Sequence, residues 1–322
     1  MKRPTIGDIA RRAGVSKAAV SYALNGRPGV SAETRDRVAR IADALGWRAN
    51  TAARALSGER AGVVGLLLAE PSPLPMIAGI ERELAAAGMA LQFAVAGDPQ
   101  AEMEIYQEWW AARRVDGVLI VDPRADDHRI GLLRKLDIPA AVVGASAPGM
   151  SAVQSDPGGC REAVRHLGGR GHQRVGRVAG PAELRRTAWC GRVFRLTVKE
   201  VLGTASVEIA TEGGAAAGVH ATRQLLALSD PPSAVVYDND VMAAAAVVHA
   251  GELGVRIPAD LAVVSWHDSL VCEVVYPTIT AIRQDSRADG AAAVRLLLHQ
   301  LRTGVPGETS ANPDTLVVRG SS

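Results

Sequence analysis

The pattern of hydrophobic and polar positions divides the chain into two parts. Up to about residue 60, apolar residues recur at helical spacing in short segments separated by Gly, Pro and Asn. From Val63 onward, short runs of consecutive apolar residues alternate with longer amphipathic segments. Such runs are typical of parallel strands that are buried on both faces, so the second part is predicted to be a doubly wound α/β body.

The body contains a repeated β–α order. Strands are predicted at 63–68, 91–96, 117–121, 140–143, 175–179, 207–209, 234–237 and 261–266. Helices are predicted at 77–87, 102–113, 130–136, 160–167, 186–202, 215–228 and 241–253. The order restarts after Asp156, which predicts two subdomains, each built on its own parallel sheet.

Capping residues predict three short helices in the first part. Thr5 and Asp8 have the spacing of a capping box, and Ser16 and Ser31 are good N-caps for two further helices. Gly14 can adopt the positive φ that ends the first helix. Two helices joined by a tight Gly turn and supported by a third form a helix-turn-helix, whose second helix fits the DNA major groove.

The charge distribution favours a DNA-binding role for this part. The first sixty residues contain 12 Lys and Arg against 5 Asp and Glu, a net charge of +7, whereas the remaining residues carry −5. A basic module joined to a mildly acidic body is typical of polyanion binding. The alternative is a small helical domain whose charges only solvate its surface, and both the charge excess and the turn spacing argue against it.

The outward positions of the second predicted helix are Lys17, Ala18, Ser21 and Tyr22. The lysine can donate to guanine or to a phosphate, and the alanine can contact a thymine methyl. The serine and tyrosine hydroxyl groups can bond a phosphate or a base edge.

The segment 50–58 predicts one further helix of under three turns. Such a helix is marginal alone in water, so it needs a partner, for example its own copy in a dimer lying on DNA. Leu56 at its end could then wedge between base pairs in the minor groove. A linker helix with Leu56 packed on the body is the alternative.

The first sixty residues resemble the lactose-repressor (LacI/GalR) family. The resemblance is carried by Asp8-Ile9-Ala10, Ala13-Gly14-Val15-Ser16, Val20-Ser21, Leu24-Asn25-Gly26, Val30-Ser31, Thr34-Arg35, Leu45-Gly46, Asn50, Arg54 and Leu56. It implies a helix-turn-helix domain at 1–48, a hinge helix and linker at 49–60, and an effector-binding and dimerisation domain at 61–322. It also implies a homodimer that binds a palindromic double-stranded DNA operator and is gated by a small-molecule effector, most often as a repressor. The implied DNA-binding residues are Thr5, Ser16, Lys17, Ala18, Ser21, Tyr22, Asn25, Ser31, Thr34, Asn50, Ala53 and Leu56.

The body is similar to the periplasmic-binding-protein-like sensor domain of the same family. The similarity lies in "HLGGRGHQRVGRVAGP", "YDNDVMAAAAV", "LGVRIPADLAVVSWHDS" and "PTITAIRQD". It implies one subdomain at about 61–155 plus 285–312, and a second at about 156–284 plus 313–322. A small effector is then expected in the cleft between them, beyond the carboxyl ends of the strands.

The expected effector-binding residues are Arg185, Arg186, Cys190, Asn239, Trp266 and His267. Either arginine could act as a charged clamp. N-capping is an equal alternative for the asparagine, and core packing is an equal alternative for the tryptophan.

Two polar anchors of the family are replaced. Aligned on Phe194, the frequent ligand-binding Arg of the family falls at Cys190, and the frequent ligand-binding Asp falls at His267. The loss of a guanidinium fork and a carboxylate removes the groups best suited to bidentate sugar binding. We therefore expect an unusual effector, a shifted one that uses Arg185 or Arg186, or a DNA-binding regulator with a degenerate site that senses no sugar.

Other classes of protein are disfavoured. The three cysteines are widely spaced, and there is no membrane-length apolar run and no signal-peptide pattern, so a cytoplasmic protein without membrane association is expected. A free ligand-binding protein or an enzyme on the same fold is the third hypothesis. The sequence has no dinucleotide-binding, P-loop or HExxH motif and no nucleophile–base set, so we expect no cofactor, metal or catalytic residue.

Overall fold

The computed structural model describes residues 4–47, 60–68 and 74–322. The chain forms two compact units, Met1–Ala61 and Gly62–Ser322, which we call the head and the body. In the described ranges, every helix is too short or too polar to span a membrane.

The described part of the head consists of three helices, α1 (Ile6–Ala13), α2 (Lys17–Leu24) and α3 (Ala32–Ala44). One apolar residue from each helix, Ile9, Val20 and Val38, is completely buried at the centre of the head. Burying such a side chain stabilises the fold by about 1.5–3 kcal/mol. This shared core holds helices that would be too short to form alone.

The predicted caps of the head are confirmed. Thr5 accepts a hydrogen bond from the Asp8 amide while the Asp8 carboxylate accepts one from the Thr5 amide, which completes the capping box. Ser16 and Ser31 each accept from the amide three residues further on. Gly14 has a φ of 66° and ends α1 in the left-handed conformation. The helix boundaries therefore follow from local sequence.

In the described residues of the body, the first sheet has six strands, all parallel to their neighbours. They are β1 (Val63–Leu68), β2 (Ala90–Val95), β3 (Gly117–Ile120), β4 (Ala140–Val143), β5 (Ser151–Gln154) and β11 (Glu308–Ser310). Their order across the sheet is β11-β5-β4-β3-β1-β2.

The second sheet has six strands, of which the last pairs antiparallel. They are β6 (Val175–Ala179), β7 (Val207–Ala210), β8 (Ala234–Tyr237), β9 (Ala262–Ser265), β10 (Thr280–Arg283) and β12 (Thr315–Val317). Their order is β12-β10-β9-β8-β6-β7. The helical head and the two parallel-dominated sheets confirm the predicted fold class. The predicted hinge helix lies outside the described residues.

Helices connect and cover the strands. They are α4 (Leu74–Ala86), α5 (Pro99–Ala111), α6 (His128–Lys135), α7 (Gly158–Gly169), α8 (Arg185–Leu202), α9 (Ala215–Leu226), α10 (Asp240–Val248), α11 (Ala250–Leu253), α12 (Leu270–Val274) and α13 (Ser286–Thr303).

The prediction of one continuous helix at 241–253 is wrong at His249, where the structure has two helices. His249 has φ −94° and ψ 15°, so α10 ends before it and α11 begins after it. Two β-branched residues, Val247 and Val248, precede this point and Gly251 follows it, and all three residue types lower helix propensity.

The chain passes between the two sheets three times, after β5, after β10 and after β11. Polar side chains hold these crossings together. The Asp156 carboxylate accepts from the Asp314 amide at 3.1 Å, and Asn312 donates to Asp285 at 3.1 Å. The three crossings are therefore joined by hydrogen bonds between segments that are distant in sequence.

The two subdomains also meet where loops follow the carboxyl ends of β3 and β6. Arg124 and Leu184 form an antiparallel bridge, with hydrogen bonds from the Ala125 amide to Glu183 O (2.8 Å) and from the Arg185 amide to Pro123 O (2.9 Å). We call this contact between residues 123–125 and 183–185 the junction. It places the strand-end loops of both sheets next to each other, where open α/β sheets bind their ligands.

Candidate functional site

The outward face of α2 carries the residues predicted to read DNA. Lys17 and Ala18 are exposed at the start of the helix, Tyr22 is 43% exposed, and Ser21 is half-buried. Val20 is fully buried on the opposite face. The helix therefore presents a polar and cationic surface to solvent while its apolar side holds it on the head.

The first turn of α2 has a positive electrostatic character. It contains no acidic residue, whereas α1 has Asp8 in its first turn. The helix N-terminus carries a partial positive charge, and Lys17 adds a full one. A Cβ atom built on Gly7 would lie 3.3 Å from the Lys17 Cε, so this side chain passes close to the start of α1. This end of α2 is suited to an anion such as a DNA phosphate.

The other predicted DNA-binding residues have local structural roles or lie elsewhere. Thr5, Ser16 and Ser31 cap the three helices, and the Ser31 hydroxyl donates to Thr34 Oγ1 at 3.0 Å. Asn25 is exposed at the C-terminus of α2. Asn50, Ala53 and Leu56 lie outside the described residues.

In the body, Arg185 joins the two subdomains. Its Nε donates to Arg124 O at 3.0 Å, and its Nη1 donates to Ser146 O at 3.0 Å. Both acceptors are backbone carbonyl groups of strand-end loops of the first sheet. The guanidinium predicted to act as a ligand clamp thus lies at the junction, bonded to the opposite subdomain.

The next residue, Arg186, faces His267. An Nη1 hydrogen bond joins the guanidinium to the imidazole Nε2, and Nδ1 of the same ring lies 3.5 Å away. Burial, together with the positive charge of Arg186, holds the pKa of His267 well below its ordinary value. The imidazole is therefore neutral, with one nitrogen that can accept and one that can donate.

The remaining predicted effector residues are more deeply packed. Trp266 is 1% exposed and packs edge-on against Trp189 of α8, with ring centroids 6.5 Å apart. Cys190 is buried in the same core, which raises the pKa of its thiol. Asn239 caps α10 by accepting from the Met242 amide at 2.8 Å. Core packing and capping thus occupy three of the predicted positions.

The sequence did not lead us to predict a buried ion-pair network in which one arginine, Arg177, pairs with two carboxylates. Arg177 on β6 donates to Asp238 at 2.6 and 2.7 Å and to Glu208 at 2.6 Å. Asp238 also accepts from the Gly180 amide, which fixes the loop leading to α8. A charged residue inside the apolar strand "VGRVA" was the available signal, because a buried charge requires a partner. Within the described part of the chain, no group of three His, Cys, Asp or Glu is arranged to hold a metal ion.

Family comparisons cover both units of the chain. The family "Bacterial regulatory proteins, lacI family" matches residues 5–50, and "Periplasmic binding protein-like domain" matches residues 164–322. The HTH-type transcriptional regulator CelR of Thermobifida fusca is 32% identical over 96% of this chain and 94% of its own length. The lactose operon repressor of Escherichia coli K12 is 30% identical over 94% of this chain and 86% of its own length.

Solved structures also match the chain over both of its units. A lac repressor dimer bound to operator and the anti-inducer ONPF superposes with a TM-score of 0.85 at 26% identity, covering 99% of both chains. A CelR–cellobiose complex superposes with a TM-score of 0.75 at 28% identity, covering 99% of this chain and 100% of that one.

A helix-turn-helix head combined with a two-sheet body similar to periplasmic binding proteins defines a DNA-binding transcriptional regulator. The chain belongs to the lacI family of bacterial regulatory proteins.

Proposed function

We propose that two copies of the chain bind a two-fold symmetric DNA operator and repress transcription there, and that a small molecule bound beside the junction regulates this binding. The main support is the outward face of α2, where Lys17 and Ala18 are exposed at a helix end without a carboxylate. A helix of this kind fits the major groove, with its first residues at the base edges. The relatives support the dimer and the effector, since one solved structure is a repressor dimer on its operator and another holds cellobiose.

The proposal is tested by selecting bound sequences from random DNA with the full-length protein. We expect enrichment of a palindromic site. In Lys17→Ala we expect the preference to relax at one position of each half-site, with a loss of discrimination of about 1–3 kcal/mol there.

Lys199→Ala is the matched control, because Lys199 is an exposed lysine of the body. This variant should select the same site as the unchanged protein. If the unchanged protein enriched no sequence, the proposal would be wrong, and a uniform loss of affinity in Lys17→Ala would reassign the lysine to phosphate contact.

A second candidate is a DNA-binding regulator whose body senses no sugar. The packing of Cys190 in the core and the neutral imidazole of His267 favour it, since neither can form the charged contacts of a guanidinium or a carboxylate. We further propose that the protein acts in the cytoplasm, where the bacterial chromosome lies, and catalyses no reaction. The relatives are named as transcriptional regulators and repressors.

A further inference from the structure

Arg186 differs from Arg177 and Arg124 in how its charge is balanced. Arg177 is paired with Asp238 at 2.6 Å, and Arg124 is paired with Glu102 at 2.6 Å. Among the described residues, no carboxylate lies within ion-pair distance of Arg186, whose guanidinium faces an imidazole instead. A half-buried cation without an anionic partner is costly, so the site favours an added negative charge.

The carboxylates on the neighbouring loops are already engaged. Asp268 forms ion pairs with Arg283 at 2.7 Å and Arg319 at 2.8 Å. Asp240 accepts a hydrogen bond from the Ser269 hydroxyl. These contacts hold Asp268 on the loop after β9 and Asp240 at the start of α10, and neither carboxylate forms an ion pair with Arg186.

Two hydrogen-bond donors in this region lack an acceptor in the described structure. Arg186 Nε and Trp266 Nε1 are both buried without a partner. Trp266 directly precedes His267 and packs on α8, the helix that begins with Arg185 and Arg186. Unsatisfied buried donors of this kind are rare in native structures, and a ligand that brings acceptors would satisfy them.

His267 removes an obstacle to such a ligand. The aspartate that the family frequently has at this position would neutralise the charge of Arg186 and repel an anion. The half-buried imidazole is neutral because its pKa is well below the ordinary value, so it leaves the guanidinium charge uncompensated and can still donate one hydrogen bond.

We infer that the effector carries an oxyanion group, a carboxylate or a phosphate, that binds the Arg186 guanidinium beside His267. This inference rests on the proposed function and specifies the chemistry of its effector. The planar fork of arginine matches either oxyanion with two hydrogen bonds, which a neutral sugar hydroxyl cannot do.

The test uses the full-length protein and simple oxyanions as probes. Inorganic phosphate and malonate are titrated against sodium chloride at equal ionic strength, while melting temperature and tryptophan fluorescence are recorded. We expect at least one probe to give a saturable rise in melting temperature, because a ligand that binds only the native state stabilises it. The fluorescence should change over the same concentrations, since Trp189 and Trp266 pack together beside the site. The stronger probe identifies phosphate or carboxylate as the preferred group.

Four variants locate the response. Arg186→Gln and His267→Asp should each lose it, the second because the new carboxylate pairs with the guanidinium. Arg192→Gln removes an exposed arginine of the same helix and should keep the response. Arg186→Lys retains the charge without the fork, so we expect binding at least tenfold weaker than in the unchanged protein.

The inference is overturned if neither probe gives a saturable response, or if Arg186→Gln responds as the unchanged protein does. Each variant is first shown to select the same DNA site as the unchanged protein, so that a misfolded variant is not counted. Selection of a palindrome without an oxyanion response would leave the proposed DNA-binding function standing and reject only the effector chemistry.

Discussion

At the residue scale, the pKa of Asp314, at the third crossing between the subdomains, is strongly raised. Its side chain is 6% exposed, and burial, with a smaller contribution from the charges of Asp156 and Asp289, raises its pKa to about 7. Asp289 itself has a pKa raised to about 6 by burial and by Asp285. A carboxyl group with a raised pKa binds a proton more tightly in the native state than in the unfolded chain.

This proton uptake makes folding stability fall as the pH rises. Between the unfolded pKa of Asp near 4 and the native value of about 7, the native state holds more protons than the unfolded state, so the free energy of unfolding decreases with increasing pH. Asp314→Asn removes this ionisation and keeps a hydrogen-bond acceptor. We expect the variant to be more stable than the unchanged protein by about 1–2 kcal/mol at pH 8, after allowance for solvent screening, and the difference to narrow towards pH 5.

Urea unfolding at several pH values measures this difference. Asp126→Asn is the matched control, because Asp126 is exposed in the same body. A stability difference that stays constant from pH 5 to pH 8 would show that the Asp314 carboxyl group does not titrate in this range.

Local residue roles could be predicted from the sequence, whereas the roles of these acids could not. Ser16 caps a helix by bonding an amide three residues away, so its neighbours alone define it. Asp314 and Asp156 are 158 positions apart and meet only because the chain crosses between the sheets. For the same reason the sequence singled out Arg186 and His267 separately but did not predict that they form a pair.

At the element scale, α4 and α13, which cover the first sheet, pack at unusually close range against each other. A Cβ atom on Gly79 would lie 2.0 Å from the Arg287 carbonyl oxygen, and one on Gly290 would lie 2.5 Å from the Met76 carbonyl oxygen. Both positions oppose backbone atoms, which cannot move aside as a flexible side chain can. The two glycines therefore set the distance between these helices.

Gly290→Ala should destabilise the body because the added methyl group forces the helices apart. We expect a loss of about 1–3 kcal/mol in the free energy of unfolding, which is the usual cost of overpacking. Gly131→Ala is the control, because Gly131 lies in α6 with open space around its Cβ position. The control should be stabilised by up to about 1 kcal/mol through higher helix propensity. Equal effects of the two substitutions in chemical denaturation would contradict the close packing.

Buried strands were predictable because their neighbours on both faces require continuous apolar runs. Strands at 140–143, 175–179 and 234–237 have the predicted bounds. β11 gives no such signal, since its three residues are polar and exposed, and it is defined only by its pairing with β5. The predicted elements end at residue 266 and so omit α13, although apolar residues at helical spacing mark this helix in the sequence.

At the scale of the whole molecule, the junction connects the two subdomains at the edge where the effector is proposed to bind. Proteins with two such subdomains respond to ligands by hinge motion, so the contacts between them set the balance between open and closed arrangements. Arg185 provides side-chain contacts across this junction, through hydrogen bonds to Arg124 O and Ser146 O. With the proposed role of Arg186 in binding the effector, the two neighbouring arginines would divide coupling and recognition between them.

Arg185→Met tests this division, because methionine keeps the apolar stem but has no donors. Hydrogen bonds from a charged donor contribute about 1.5–3 kcal/mol each, so the junction should open at least tenfold more often. The backbone amides of residues 125 and 185 bond across the junction, so their hydrogen exchange should become correspondingly faster. The amides of β8, which lies in the core, should stay protected. Arg192→Met on the same helix should leave the exchange rates of the junction amides and of the β8 amides unchanged. If the junction amides exchanged at the original rate in Arg185→Met, the backbone pairing alone would hold the subdomains, and Arg185 would be available to bind the effector after all.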